Sequence, residues 1–308
     1  KKIVFMGTPL FAVPILKSLY QNGYPVSVVY TQPPQKSQRG QKINKSPIQG
    51  ISETLNIEYR TPGSLKANKE EYNYLKELDA DIAIVVAYGK IIPKEYLSLV
   101  KNGFINIHAS LLPKWRGAAP IQRSIMNLEK ETGVSIMKIV EKLDSGPICN
   151  SYKLNIETDD NAETITEKLS GLAAEKILDN IDMILDDKIK FKEQNHHEAT
   201  YAAKIEKPEG QIDWRETAEH IIGKINGLYP NPGAFFTYNG ERYKILKASL
   251  ANGNGKIGEV LNDYLEVSCG NKKSIKILDI QRQGKRPQNI SEFMLGSQIK
   301  MGSNLNYA

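Results

Sequence analysis

The sequence predicts a two-domain α/β protein. The first domain is a doubly wound, mostly parallel, Rossmann-like sheet, and the second is a smaller OB-like β-barrel. Short apolar runs alternate with helical patterns through the first half, as in a parallel sheet covered by helices. From about Gly210 the chain changes to short strands separated by the turn sequences NGE, NGNG and CGNKK. A polar stretch between the two patterns sets the predicted boundaries at 1–189, 190–207 for a linker, and 208–308.

The individual elements follow in chain order. Five apolar runs predict the strands of the first sheet: KKIVFMG, YPVSVVYTQ, ADIAIVVAYG, GFINIHAS and GVSIMKIV, the last as a strand from Val134 to Val140. The third run is almost continuously apolar, which is typical of a strand buried on both faces. Helical patterns predict helices over Phe11–Asn22, about Ser46–Leu55, Ala162–Leu185 and Glu216–Asn226.

Composition favours a cytoplasmic protein without a membrane partner. No apolar run approaches the length of a membrane span, and the first residues do not resemble a signal peptide. The two cysteines, Cys149 and Cys269, form neither a zinc pattern nor a disulfide framework. The formal net charge is +6, and about two thirds of this excess lies in residues 204–308. This distribution indicates a polyanionic partner, although a slightly basic soluble domain explains it equally well.

Two polar residues end the run GFINIHAS. Because side chains at positions i and i+2 of a strand point the same way, Asn106 and His108 share a face. Ligands of such sheets bind beyond the carboxyl ends of the strands, so we expect the pair beside Gly7-Thr8-Pro9 and Tyr88-Gly89. An amide and an imidazole N–H converging on one point suit a developing oxyanion. An asparagine that satisfies a turn and a histidine packed in the core explain the same spacing.

An acidic residue follows the next predicted strand, in KLDSGPI. Asp144 stands in a sequence that is common in turns, and a turn is its simplest explanation. Its place after a strand that neighbours the Asn106 strand favours a second interpretation. From there the carboxylate could reach His108, orient the ring and favour its protonated form.

The motif NIHASLLPKWRGAAPIQ, with LDSGPI downstream, resembles the folate-dependent formyltransferases. The segments FMGTPLFAVPIL, TQPP…RGQK, VVAYGKIIP, IDW and NPGAFF extend the resemblance, in the right order, over nearly the whole chain. They are similar to the members that formylate charged tRNA. The resemblance implies 10-formyltetrahydrofolate as formyl donor, initiator methionyl-tRNA as acceptor, a formyltransferase-type first sheet and a monomer that needs no metal.

The resemblance also assigns site residues by position. It implies that Asn106, His108 and Asp144 are catalytic. The residues that it implies for folate binding are Ser110, Leu111, Leu112, Pro113, Val86, Ala87, Tyr88, Gly89 and Ile139, together with the backbone from Ile139 to Asp144. His196-His197 has no partner ligands nearby in the sequence, which favours a solvated pair over a metal site.

The polar insert of residues 32–47 is the candidate for recognising the acceptor, because it carries four basic residues and no acid. Arg39 and Lys42 are the candidates for gripping the acceptor arm of tRNA, and Arg39 matches the arginine of the family motif RG. A solvated, disordered loop is the alternative. Three other functions remain open at this stage: a sugar-nucleotide N-formyltransferase, a formyl-folate hydrolase, and an RNA-binding module without catalysis.

Overall fold

A computed structural model describes residues 1–37 and 42–305, which cluster into two compact units. One unit comprises residues 1–117, 132–154 and 166–201, and the other comprises 118–131, 155–165 and 202–308.

The strands are β1 (Ile3–Gly7), β2 (Val26–Tyr30), β3 (Gln35–Ser37), β4 (Lys42–Asn44), β5 (Tyr59–Arg60), β6 (Ile82–Val86), β7 (Phe104–His108), β8 (Arg116–Gly117), β9 (Glu131–Lys138), β10 (Ile148–Asn155), β11 (Tyr201–Ala202), β12 (Ala234–Tyr238), β13 (Glu241–Ala251), β14 (Glu266–Ser268), β15 (Ser274–Arg282) and β16 (Gln288–Asn289). The α-helices are α1 (Val13–Gln21), α2 (Pro47–Thr54), α3 (Lys69–Leu78), α4 (Pro120–Met126), α5 (Ala162–Leu185), α6 (Ala218–Leu228) and α7 (Ile290–Leu295). The domain boundaries predicted from the sequence stay a prediction.

The first unit contains the predicted, mostly parallel sheet. Its seven strands lie in the order β10-β9-β7-β6-β1-β2-β5. The pairs β1–β2, β1–β6, β6–β7 and β2–β5 are parallel. All residues of β1 and β6 are buried, as expected for strands covered on both faces. The chain leaves β1 toward β2 and later returns on its other side at β6, so a topological switch point lies between β1 and β6.

The strand that precedes Asp144 runs against its neighbour. β9 pairs antiparallel with β7, so Lys138 lies opposite Ile105 and Ser135 lies opposite His108. β9 therefore ends beside the start of β7, at the edge away from His108. It also ends at Lys138, two residues before the predicted Val140, because the chain there leaves the ladder to form a loop.

The second unit contains an antiparallel sheet in the order β12-β13-β15-β14, with β16 paired to β15. This confirms a smaller β domain, whereas closure into a barrel stays a prediction. Its core includes Trp214, Phe236, Tyr243 and Phe293, whose rings contact one another with centroids 5.3–6.0 Å apart. The helix predicted from Glu216 is observed as α6, which starts two residues later because the Thr217 side chain accepts a hydrogen bond from the His220 N–H and caps it.

The insert of residues 32–47 is partly ordered into a ribbon. β3 and β4 pair antiparallel, with Gln35 opposite Asn44. Arg39 lies outside the described residues, and Lys42 is described only as part of the backbone of β4. Ser46 then caps α2 by accepting a hydrogen bond from the Gln49 N–H. Within residues 1–37 and 42–305, none of the helices combines the length and apolar character of a membrane span.

Candidate active site

The loops at the switch point are tied together by side-chain hydrogen bonds. The Thr8 hydroxyl, just after β1, donates to the Tyr88 carbonyl oxygen at 2.9 Å. The Gln32 Nε2 atom, just after β2, donates to the same oxygen at 3.1 Å. The loops after β1, β2 and β6 therefore form one continuous rim, as the sequence predicted for Thr8 and Tyr88.

The three candidate catalytic side chains meet at this edge of the sheet. Asn106 Nδ2 lies 3.5 Å from one carboxylate oxygen of Asp144, and His108 Nδ1 lies 3.8 Å from the other. His108 is 7 % exposed, while Asn106 and Asp144 are partly exposed and so accessible to a ligand. The structure thus brings together an amide, an imidazole and a carboxylate that are up to 38 positions apart in the sequence.

Asp144 reaches this position through an unusual backbone conformation. Its φ angle is +43°, in the left-handed region that aspartate enters more easily than most residues. The same carboxylate oxygen that faces His108 accepts a hydrogen bond from the Gly117 N–H at 2.9 Å. Gly146 then lets the loop fold back on β9, because a Cβ atom there would lie 1.9 Å from the Lys138 carbonyl oxygen.

The hydrogen bond of His108 defines its tautomer. His108 Nε2 lies 2.9 Å from the Trp115 carbonyl oxygen. Since a carbonyl oxygen only accepts, Nε2 carries the hydrogen, and the neutral ring has a bare Nδ1 that faces Asp144. From the sequence, the imidazole was expected to be a simple N–H donor toward an oxyanion. In this geometry Nδ1 first has to accept a proton before it can donate one.

The Ser110–Pro113 loop is held from within. Ser110 is fully buried, and its hydroxyl donates to the Lys114 carbonyl oxygen at 2.6 Å. The Ser135 hydroxyl donates to the Ser110 carbonyl oxygen and accepts from the Leu112 N–H. The Ser110 side chain therefore shapes the loop, whereas Leu111 and Pro113 are partly exposed and available to a ligand.

The Val86–Gly89 segment alternates between the core and the surface. Val86 and Tyr88 are buried, and Ala87 and Gly89 are exposed with positive φ angles of 48° and 75°. Burial raises the pKa of the Tyr88 hydroxyl, which has no hydrogen-bond partner among the described residues. Ile139 is partly exposed, and its N–H donates to the Phe104 carbonyl oxygen, which fixes the start of the Asp144 loop.

Two residues that the sequence analysis did not single out support the Asp144 loop. Gln194 Nε2 donates to the carbonyl oxygens of Asp144 and Gly146, and the buried Arg116 donates to Gln194 Oε1. Arg116 also donates to His196 Nδ1 at 2.9 Å, so His196 is exposed but not simply solvated, in contrast to the prediction. Within the described ranges no cluster of three or more His, Cys, Asp or Glu side chains could hold a metal ion.

Comparison with known proteins gives full-length relatives. Residues 1–181 match the formyl transferase family, and residues 204–298 match the C-terminal domain of formyl transferases. The chain is 70% identical over 305 residues to the methionyl-tRNA formyltransferase of Pelagibacter ubique (strain HTCC1062), covering 99% of this chain and 98% of that protein. It is 43% identical over 306 residues to the methionyl-tRNA formyltransferase of Caldanaerobacter subterraneus subsp. tengcongensis, covering 98% and 99% of the two chains.

Solved structures share the fold at lower sequence identity. The sugar 3N-formyl transferase WlaRD, crystallised in the presence of dTDP and 5-N-formyl-THF, superimposes with a TM-score of 0.70 at 22% identity and covers 92% of this chain and 98% of its own. HypX from Aquifex aeolicus, in complex with tetrahydrofolic acid, gives a TM-score of 0.65 at 15% identity and covers 98% of this chain and 50% of its own.

Proposed function

The chain belongs to the formyl transferase family and matches its methionyl-tRNA formyltransferases along nearly its whole length, and from this premise we propose its reaction. It transfers a formyl group from 10-formyltetrahydrofolate to the α-amino group of initiator methionyl-tRNA, for translation initiation. The observation that carries the proposal is the meeting of Asn106, His108 and Asp144 at the rim of the sheet. Because charged tRNA is used in the cytoplasm, the reaction takes place there.

The residues at the rim fit a folate that carries a formyl group. The bound folate supplies an amide-like carbonyl whose carbon the amine attacks. The exposed backbone of Ala87 and Gly89 offers polar groups, and the partly exposed Leu111, Pro113 and Ile139 offer apolar surface, as a flat ring system with polar edges requires. Asn106, His108 and Asp144 supply the donors and acceptors for a charge and a proton that move during transfer.

Asn106 stabilises the charge that builds on the formyl oxygen. Asn106 is partly exposed, and the 3.5 Å hydrogen bond from its Nδ2 to Asp144 is long, so the amide can also donate to an incoming oxygen. Asp144 in turn fixes the direction of the amide. Removing one such donor typically costs ~10²–10³ in rate.

His108 and Asp144 handle the surplus proton of the attacking amine. The bare Nδ1 of neutral His108 is the acceptor that faces the site, and the imidazolium that forms lies beside the Asp144 carboxylate. The protonated Nδ1 can then donate to the departing folate nitrogen. The α-amino group of an aminoacyl ester needs little activation, since α-amines titrate near pKa ~8 and a useful fraction is already neutral.

The basic insert and the second domain address the tRNA. Arg39 and Lys42 bind the acceptor arm of the tRNA, and the second domain, residues 208–308, makes a further contact with the RNA. Residues 204–308 carry 15 Lys or Arg against 11 Asp or Glu, which suits a polyanion. The antiparallel pairing of β3 with β4 holds residues 35–37 and 42–44 of the insert together.

An acceptor panel tests the function. Purified enzyme is offered 10-formyltetrahydrofolate with charged initiator tRNA, an amino-sugar nucleotide, or water alone, and the formylated product and free tetrahydrofolate are both quantified. We expect formylated methionyl-tRNA as the dominant product. Faster transfer to the amino sugar would establish the sugar-nucleotide alternative, and formate release without an acceptor would establish a hydrolase.

Loss of a candidate catalytic donor provides the second test. We expect Asn106→Ala and His108→Ala each to lower turnover by ~10²–10³, because each removes one group that stabilises or moves charge at the reacting carbonyl. Asn102→Ala is the matched control, since Asn102 also donates through Nδ2, to the Ile184 carbonyl oxygen, but lies before β7. Its turnover should equal that of the wild type. Unimpaired turnover in both site variants would remove their catalytic assignment.

The charge of Asp144 is tested by Asp144→Asn. The amide oxygen can still accept from the Gly117 N–H, so we expect the loop to stay in place. Turnover should fall and its pH dependence should change, because imidazolium at His108 loses the adjacent negative charge. Asp81→Asn is the control, since the Asp81 carboxylate also accepts a backbone N–H, from Lys2. A wild-type pH–rate profile for Asp144→Asn would return Asp144 to a simple turn residue.

The insert is tested by the double variant Arg39→Ala/Lys42→Ala. Each lost phosphate contact should lower the log–log salt slope of tRNA affinity by ~0.7 for single-stranded or ~0.9 for duplex RNA, and folate affinity should stay unchanged. Lys176→Ala/Lys188→Ala removes the same charge from lysines outside the insert that are paired with acids, Lys176 with Glu175 and Asp179 and Lys188 with Asp186, and should alter the slope less. Equal slopes and affinities for the wild type and the first variant would leave the insert as a solvated loop.

A further inference from the structure

The Gln194 amide uses its full hydrogen-bonding capacity on three residues, Asp144, Gly146 and Arg116. Nε2 donates to the Asp144 carbonyl oxygen at 2.9 Å and to the Gly146 carbonyl oxygen at 2.8 Å. Oε1 accepts from Arg116 Nε at 3.1 Å and from Arg116 Nη2 at 2.7 Å. Since a guanidinium only donates and a carbonyl only accepts, the orientation of the amide is unambiguous.

Arg116 and Gln194 are both buried. Arg116 is 1% exposed and Gln194 is 6% exposed. Arg116 also donates to His196 Nδ1, and a histidine ring that accepts through Nδ1 is neutral, so both of these acceptors of the buried cation are uncharged. Because unpaired polar groups are expensive inside a protein, an arrangement in which both polar atoms of the Gln194 amide are fully paired strongly favours a single geometry.

That geometry determines where the Asp144 carboxylate points. Asp144 has a left-handed backbone, which an L-residue adopts at a cost, and the carbonyl groups of Asp144 and Gly146 on either side of Ser145 are both fixed by Gln194. We infer that Gln194, clamped by Arg116, is a positioning residue for formyl transfer: it holds the loop in the conformation that directs the Asp144 carboxylate toward His108 and Asn106. It acts through Asp144 and does not contact the reacting atoms.

The variant Gln194→Glu separates this role from general stability. The carboxylate keeps the shape and still accepts from Arg116, which also keeps it ionised, so we expect the chain to fold. Its second oxygen replaces the Nε2 donor and repels the two loop carbonyl oxygens. Turnover should fall by about 10- to 100-fold with substrate KM values little changed, because a misplacement of about 1 Å costs on this order.

The matched control is Asn180→Asp. Asn180 is a fully buried amide of α5 in the same unit, and its Nδ2 donates to the Tyr152 hydroxyl and to the Lys176 carbonyl oxygen. The change is chemically the same but lies outside the Asp144 loop. We expect it to lower the melting temperature and to leave turnover within about twofold of the wild type, since it disturbs no group that acts on the substrates.

Two further measurements isolate the path through Asp144. In the Asp144→Asn background, Gln194→Glu should cost less than about twofold in turnover, because coupled residues are not additive. In the enzyme without substrates, the Gly117 N–H that donates to Asp144 should exchange with solvent about tenfold faster in Gln194→Glu and at the wild-type rate in Asn180→Asp. Arg116→Lys weakens the hydrogen bonds to Gln194 without adding a negative charge. It should likewise lower turnover and speed the exchange of the Gly117 N–H.

The kinetic measurements rest on the proposed function, whereas the exchange of the Gly117 N–H does not. Failure of the inference can therefore be distinguished from failure of the proposed function. If the wild type formylates none of the acceptors, the function is wrong, while Gly117 exchange still decides the clamp. Wild-type turnover and wild-type Gly117 exchange in a folded Gln194→Glu variant would overturn the inference. Equal costs of Gln194→Glu with and without the Asp144 charge would also overturn it, since the residue would then not act through Asp144. If Gln194→Glu does not fold, Arg116→Lys carries the same two readouts.

Discussion

The site depends on the antiparallel pairing of β9 with β7. In the parallel part of the sheet each strand ends at the rim, but β9 ends beside the start of β7, at the opposite edge. The chain must therefore return along its neighbour before a residue downstream of β9 can meet His108. The loop from Ile139 to Gly146 makes this return, and its tight passage past Lys138 and the left-handed Asp144 are the local consequences. The carboxylate is then fixed by the Gly117 N–H, while His108 is held separately by the Trp115 carbonyl oxygen.

A loop of this kind needs support that does not come from strand pairing. Burying the Arg116 guanidinium is unfavourable by itself, and the neutral acceptors Gln194 Oε1 and His196 Nδ1 offset part of this cost by accepting from its Nε and Nη2 atoms. The same Gln194 amide, fixed by Arg116, donates hydrogen bonds to the backbone carbonyl oxygens of Asp144 and Gly146. A neutral partner also leaves Asp144 as the carboxylate closest to His108 in this network, whereas an acid at position 194 would add a competing charge. The unfavourable burial of Arg116 thus helps to fix the direction of the Asp144 side chain.

Much of this arrangement could be predicted from the sequence, and the rest could not for identifiable reasons. Apolar runs located β1, β6 and β7, and a helical pattern located α5 with both ends correct. The strand GVSIMKIV reads the same whether it runs parallel or antiparallel, so the path to Asp144 was not predictable. The tautomer of His108 depends on the Trp115 carbonyl oxygen, a backbone group without a sequence signature. Gln194 stands in a polar stretch that was interpreted as a linker, and its contact with Arg116 spans 78 positions.

The catalytic geometry alone does not select the amine that is formylated. The fold of this chain is shared with a sugar 3N-formyl transferase at 22% identity, so neither sheet order nor loop path distinguishes an amino sugar from an aminoacyl ester. In the proposed mechanism Asn106, His108 and Asp144 act on the formyl carbonyl and on a proton, and both are common to the two reactions. Selection therefore has to come from groups that bind the remainder of the acceptor. For a tRNA that remainder is a polyanion far larger than the site, which is why we propose the acid-free basic insert of residues 32–47 as the source of specificity.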